Sequence, residues 1–324
     1  MSGPVALIVN PRATKASPRL RERVARALAP HGLEWSLVTE APGDAARLAL
    51  RVAGEGAATV VTVGGDGTVA DVAGALAGGP VVLAPLPGGN ANVFARALGW
   101  PASVDDAIAV LTRAMERPRV REASLGLLHA DGEPRVFAIN CGVGLDAATV
   151  EWIEARPRTK RRLRHAGFVL GAAVAAVRSR RLPRLTVEVA GAGGAEAGPG
   201  AVAVLVACGT PYTYLGRRPL DLAPGAAFDG HLAWVAITRA RPHELGRLAA
   251  LALRGRELPL DGPALRGGRA PAGLVIRSPE PAPLQADGEP LGRHREVRVT
   301  PGPVLRVVDP RPSPRLNSDG DRTI

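Results

Sequence analysis

Several residue types are scarce in this chain, and each scarcity removes a class of function. Aromatic side chains make up 3% of the 324 residues, too few for the stacking platforms on which single-stranded nucleic acids bind. No zinc-finger, basic-zipper or aromatic RNA-binding signature is present either. The net charge of +11 is therefore not read as a nucleic-acid footprint. Two cysteines, Cys141 and Cys208, stand far apart inside apolar segments, so neither a disulfide framework nor a Cys-rich zinc site is expected and a reducing interior is the simpler setting. The six histidines show no metal-binding spacing, and there is no G-x-S-x-G elbow for a hydrolase. The opening MSGPVALIVNP has no basic stretch before its apolar run, which is too short for a signal peptide or a membrane span. It is read as a first strand.

Hydrophobic residues are plentiful at 46%, and the length suits about two domains. The first hundred residues alternate between two periodicities. Continuous apolar runs of strand length (VALIV, EWSLV, ATVVTV, PVVLAPL) are separated by helical patterns (PRLRERVARAL, DAARLALRVAG, TVADVAGALAG, ANVFARALG). Ser17 can cap the first helix, Pro18 suits its first turn and Gly32 its end. Strands without alternation, separated by helices, indicate a parallel sheet covered on both faces. After about Arg119 the pattern becomes strands divided by Gly- and Pro-rich turns, with helices near 145–180 and 241–254. The expectation is an α/β domain over residues 1–120, a mostly antiparallel β-sandwich domain over 121–309, and a disordered tail over 310–324. GAGGAEAGPG (Gly191–Gly200) is read as a flexible hairpin loop.

Two glycine turns interrupt the first part. VVTVGGDGTVADV passes from strand through Gly64, Gly65, Asp66 and Gly67 into a helix, the place where open α/β sheets bind ligands and where a helix N-terminus favours anions. Glycines let a phosphate approach the backbone, and Thr68 adds a hydroxyl. Asp66 would repel a bare phosphate, so it implies a metal ion, a ribose hydroxyl or a hydrogen-bonded neighbour; the plainer reading is a local cap. One strand later, Gly88, Gly89 and Asn90 repeat the arrangement. The GxxxxGK sequence of Lys-bearing P-loops is absent. A phosphate here would be held by glycine backbone and a helix end.

These segments carry a resemblance. Asn10-Pro11 after the first strand, GGDGT at Gly64–Thr68, LPGGNANVFARALG at Leu86–Gly99, NCGVGLDAATV at Asn140–Val150 and DGE at Asp287–Glu289 together resemble the diacylglycerol kinase family of lipid kinases, in the family's order. The resemblance implies phosphoryl transfer from Mg-ATP to a lipid hydroxyl in a cleft between an ATP-binding α/β domain and a β-sandwich domain. It assigns nucleotide binding to Asn10, Gly64, Gly65, Asp66, Gly67, Thr68, Gly88, Gly89, Asn90 and Asn92. It brings Asp287 and Glu289 in from the second domain, with Glu289 as general base and Asp66 and Asp287 as the other catalytic acids. Phosphoryl transfer needs positioning, charge neutralisation and one carboxylate near the nucleophile. Taken alone, DGE reads as a hairpin turn.

Three positions depart from the family pattern. Asn90 stands where Thr is common, Val93 where an Asp is common, and in FDGHLAWVAI Ala233 replaces a second Asp. Asp66 and Asp229 remain as candidate Mg2+ contacts, a turn role for Asp229 staying open. Arg156–Arg164 packs six Arg/Lys ahead of an apolar run; this reads either as an attachment point for an anionic membrane surface or as a solvated basic face beside a core helix. The combined expectation is a cytoplasmic lipid kinase, peripheral at the inner membrane face if that attachment forms, with diacylglycerol favoured and no nucleic-acid partner. A homodimer, an NAD-kinase-like activity and a non-catalytic nucleotide or lipid sensor stay open.

Overall fold

The computed structural model describes residues 3–155, 182–191, 196–239 and 241–311. Strands β1 (Val5–Val9), β3 (Thr59–Gly64) and β4 (Val82–Pro87) are buried along their whole length, which is why they show no polar alternation. The half-buried β2 (Leu33–Val38) forms the edge. The four strands are parallel in the order β2-β1-β3-β4. The chain leaves β1 towards β2 on one side and later returns to add β3 on the other, so the strand order reverses between β1 and β3. Crevices at the carboxyl ends of strands flanking such a reversal are the usual ligand sites of open α/β sheets. Asn10 follows β1 and the first glycine turn follows β3.

Helix α1 (Pro18–Leu28) starts where expected: Ser17 Oγ accepts the Leu20 amide at 3.1 Å, a cap worth about 1 kcal/mol. Leu20, Val24 and Leu28, one face at i, i+4, i+8, are buried. Helices α2 (Asp44–Gly54) and α3 (Asp66–Leu76) follow their predicted segments, whereas α4 is short (Val93–Ala97). Helix α5 (Val104–Glu116) is absent from the sequence expectation, although Ser103 caps it and Asp105 and Asp106 occupy its first turn.

The second part contributes β5 (Val120–His129), β6 (Arg135–Phe137), β7 (Asn140–Gly144), α6 (Leu145–Glu154), β8 (Leu185–Val189), β9 (Glu196–Ala201), β10 (Ala203–Ala207), β11 (Thr213–Leu215), β12 (Arg218–Leu220), β13 (Leu232–Ile237), α7 (Pro242–Leu253), β14 (Leu265–Ala270), β15 (Leu274–Ala286) and β16 (Glu289–Val308). Their mutual pairings are antiparallel. Strand β16 also pairs parallel with β4 through Arg306 and Val307, so one hydrogen-bonded sheet runs through both parts. The expected hairpin loop at Gly191–Gly200 is shorter than predicted. Glu196 already pairs with Glu188, because cross-strand partners override the weak strand propensity of glycine and proline there.

The predicted helix beyond Ala155, the basic cluster Arg156–Arg164 and residues 312–324 of the expected tail lie outside the described residues. Among the described residues no helix is long and apolar enough to cross a membrane.

Candidate active site

The two glycine turns meet backbone to backbone. The Gly88 amide donates to Gly64 O at 2.9 Å. A Cβ on Gly88 would lie 2.8 Å from Gly64 N, and one on Gly89 would lie 2.6 Å from Gly65 Cα; only residues without side chains permit this approach. Asn10 ties the end of β1 to the start of α3, its Nδ2 donating to Thr68 Oγ1 at 2.8 Å and its Oδ1 accepting the Arg12 amide at 2.9 Å. Asn92, in the left-handed region at φ 49, folds its side chain back on Gly89, accepting from its amide at 2.7 Å and donating to its carbonyl at 2.9 Å. Asn90 is exposed at the tip. The side chains of Asn10, Thr68 and Asn92 therefore build the turns, which leaves backbone as the surface available to a ligand.

Asp66 begins α3, whose N-cap is Gly65, and its side chain turns to the neighbouring helix. Its Oδ1 accepts the Val93 amide, and the amides of Phe94 and Asn92 also point at the carboxylate. A residue of the first turn thus caps the helix of the second. Burial is the larger influence on Asp66 and raises its pKa despite these donors.

Asp287 and Gly288 form a two-residue hairpin between β15 and β16, at φ 48 and φ 84 with Ala286 opposite Glu289, the geometry for which Asp-Gly is suited. The hairpin reading of DGE describes the backbone. The Asp287 side chain, however, points inward and accepts the amides of Ala138 (2.6 Å), Ile139 (2.8 Å) and Asn140 (3.1 Å). Those amides are available because PRVFAINCGVG, predicted as one strand, breaks between β6 and β7 at Ala138-Ile139. Burial pushes the Asp287 carboxyl up to about 6, the three amides oppose the shift, and the negative charge of Asp66 adds to it. Glu289, half exposed, pairs with Arg135 of β6. A Cβ on Gly67 would come within 3.4 Å of Glu289 Oε1, so the carboxylate lies over the first turn of α3.

Between these walls is a cleft of about 190 Å³, lined on one side by Asp66, Val93 and Phe94 and on the other by Asn140, Tyr212 and Asp287. Behind it lies a buried polar network that the sequence did not announce. Tyr212 Oη donates to Asp146 Oδ1 at 2.5 Å, and Gln285 Nε2 donates to Asp146 Oδ2 at 2.8 Å and Asn140 Oδ1 at 3.2 Å. Gln285 Oε1 accepts the Gly288 amide at 2.9 Å, which fixes the hairpin turn. Asp146 and Asn140 stand within the NCGVGLDAATV segment, which marks the region; Gln285 and Tyr212 have no sequence signal of their own. At the cleft mouth the Arg96 guanidinium stacks on Tyr214, 3.3 Å from its centroid, and donates to Gly216 O at 3.2 Å, clasping α4 to the β11–β12 hairpin.

Asp229 stands apart from this assembly. Its carboxylate accepts from Arg269 at 2.5 Å and from the His231 amide at 3.2 Å, the arrangement of an ion-paired turn. Among the described residues no group of three His, Cys, Asp or Glu is placed to hold a metal.

A family model described as the diacylglycerol kinase catalytic domain matches residues 4–123. A probable lipid kinase YegS-like of Xanthomonas oryzae pv. oryzae is 30% identical over 322 residues, covering 96% of this chain and 97% of that protein. Another of Pseudomonas fluorescens is 33% identical over 300 residues, covering 90% of each. Among solved structures, a putative diacylglycerol kinase from Bacillus anthracis shares the fold at a TM-score of 0.71, with 21% identity over 95% of this chain and 98% of that one.

Proposed function

The chain belongs to the diacylglycerol kinase family of lipid kinases, and we propose that it transfers the γ-phosphoryl group of ATP to a lipid hydroxyl in the cleft between Asp66 and Asp287, with diacylglycerol the favoured acceptor. The observation that carries this reading is the meeting of the two turns with the hairpin: Glu289, from the last strand, lies over Gly67 of the first turn. In this reading residues 1–120 bind the nucleotide and residues 121–309 supply the acceptor side. The glycine backbones at Gly64–Gly67 and Gly88–Gly89 receive the phosphates, with the N-terminus of α3 adding its partial positive charge. Glu289 takes the proton from the acceptor hydroxyl: it is half exposed and reachable, whereas the Asp287 carboxylate is occupied by three amides and sets the hairpin in place.

The residues present fit a single Mg2+ brought in with the phosphates. Asp66 and Asp287 are two half-buried carboxylates lining one cleft, each with its pKa raised chiefly by desolvation, and Mg2+ is usually held by one or two carboxylates together with substrate phosphates. Bound there, the ion would neutralise charge on the phosphates. Asp229, committed to Arg269, does not fit and takes no part.

An NAD-kinase-like activity has less support, because the cleft lining includes the apolar Val93, Phe94, Ala138, Ile139 and Val150, which suit a lipid better than a dinucleotide. The test is ATP consumption with a panel of lipid alcohols in mixed micelles, NAD included. Turnover with a lipid and not with NAD is expected. Glu289→Gln should lower kcat by about 100-fold or more while ATP still binds. Near-normal turnover of that variant refutes the base assignment, and nucleotide binding without turnover on any acceptor leaves the sensor reading in its place. Attachment to anionic membranes through the Arg156–Arg164 cluster is a separate proposal drawn from sequence alone. Replacing Arg161, Arg162 and Arg164 by Ser should release the protein from anionic vesicles, and unchanged vesicle binding would end that proposal.

A further inference from the structure

We propose that Arg135 is the cation that meets the transferred phosphoryl group, and that Glu289 holds it at the cleft until nucleotide arrives. This rests on reading the cleft as a phosphoryl-transfer site. A γ-phosphoryl group brings negative charge to a place already crowded with acids: Asp66, Asp71, Asp287 and Glu289 all stand around the first turns of α3 or face them. Groups aimed at developing charge are the main protein contribution to this chemistry.

Two of the cations near the turns, Lys15 and Arg96, are engaged elsewhere. The glycine turns contain no lysine, and among the described residues lining the cleft none is lysine or arginine. Lys15 sits beside the second turn, but its Nζ donates to Ala102 O at 2.9 Å. Arg96 spends its donors on the carbonyls of Ala91, Gly216 and Arg217 and its face on Tyr214. Arg135 is different. It stands on β6, bonds to Glu289 over the first turn of α3, and its charge partly opposes the upward pKa shift that burial and Glu289 impose on Asp71, one turn further along α3. Its guanidinium has five N–H groups, and side-chain exposures of 44% for Arg135 and 47% for Glu289 leave room for a ligand oxygen. Exchanging one oxyanion for another across so exposed a pair costs little, because exposed ion pairs are worth only about 0–1 kcal/mol.

The exchange also frees the base. When Arg135 turns to the phosphoryl oxygens, Glu289 is released to accept the acceptor's proton. The acceptor oxygen then forms its bond to the γ-phosphorus, the bond from that phosphorus to the bridging oxygen of the departing ADP breaks, and the proton ends on the Glu289 carboxylate. Arg135 donates hydrogen bonds throughout and forms no covalent bond.

Calorimetric affinities for ATP and ADP decide the matter without any need for turnover. Arg135→Ala should bind ATP about tenfold more weakly and ADP as the wild type does, because only ATP carries the group Arg135 meets. Arg135→Lys, which keeps a charge but not the planar fork, should recover part of that loss. It serves as the measured variant if Arg135→Ala fails to fold. Unchanged ATP affinity, or equal weakening for both nucleotides, overturns the proposal. Absence of turnover in the wild type with every lipid would instead count against the kinase reading. With turnover established, a kcat of Arg135→Ala within twofold of the wild type also overturns the role of Arg135.

Discussion

Asp66 and Asp287 are both half-buried carboxylates fed by backbone N–H groups, yet the two walls recruit those groups over different spans of chain. Asp66 takes its main donor from Val93, 27 residues on, within the adjacent strand-turn-helix unit. Asp287 takes its three from Ala138, Ile139 and Asn140, 147 to 149 residues back. The first wall is assembled from neighbouring units whose glycines let backbones touch. The second exists only once β15 has paired with β7, Gln285 opposite Gly142 and Ala286 opposite Cys141. The difference teaches that the glycine-turn side is a local construction and the hairpin side a long-range one, so the two should respond differently to perturbation.

The largest expected effect lies on the long-range wall. A folded-state pKa of about 6 against 3.8 means that the folded protein holds the Asp287 proton more tightly than the unfolded chain. Its stabilising influence is complete below pH 3.8 and is lost as pH rises through the window from 3.8 to 6, a decline of about 3 kcal/mol in total. Asp66, also raised, adds a slope of the same sign. Urea unfolding of wild type and Asp287→Asn between pH 4 and 7 should therefore give curves that diverge across that window, the variant losing less with rising pH. Parallel curves would break the contrast by showing that Asp287 ionises without cost.

A smaller effect is expected on the local wall. Gly88→Ala places a methyl 2.8 Å from Gly64 N and should cost about 1–3 kcal/mol, with loss of ATP binding, because backbone must move. Gly74→Ala on α3 puts its methyl 3.7 Å from Val136 Cβ, an ordinary contact, and should gain about 0.5–1 kcal/mol from helix propensity. Matching thermal shifts for the two variants would show that the turns tolerate side chains and that their close approach is not what glycine is there for.

The same contrast governs how much was legible beforehand. Strands β1, β3 and β4, the Ser17 cap and the succession of turns could be read because each depends on residues a few positions apart. The link from Asn10 to Thr68 was placed in the site without its bonds being foreseen, since no local pattern shows that both side chains are consumed in building the turns. Arg135, Gln285, Asp146 and Tyr212 went unassigned because each acquires its role from a partner 66 or more residues away: Tyr212 from Asp146, Gln285 from Asp146 and Asn140, Arg135 from Glu289. Asp229 illustrates the converse. An Asp-Gly turn beside a family-like segment suggested a metal contact, while its actual partner, Arg269, lies 40 residues on.

The amino-acid order alone determined where the chain would alternate strand with helix, where glycine would replace side chains, and which carboxylates stood in turns. Periodicity and turn chemistry act between near neighbours, so these features are written in any short window. Tertiary structure decided that Asp66 would cap the neighbouring helix, that Asp287 would be half-buried under three amides and Glu289 left accessible, and that Arg135 would stand beside it. Those outcomes follow from desolvation and from pairings between distant strands, and neither quantity exists until the sheet has closed around the cleft.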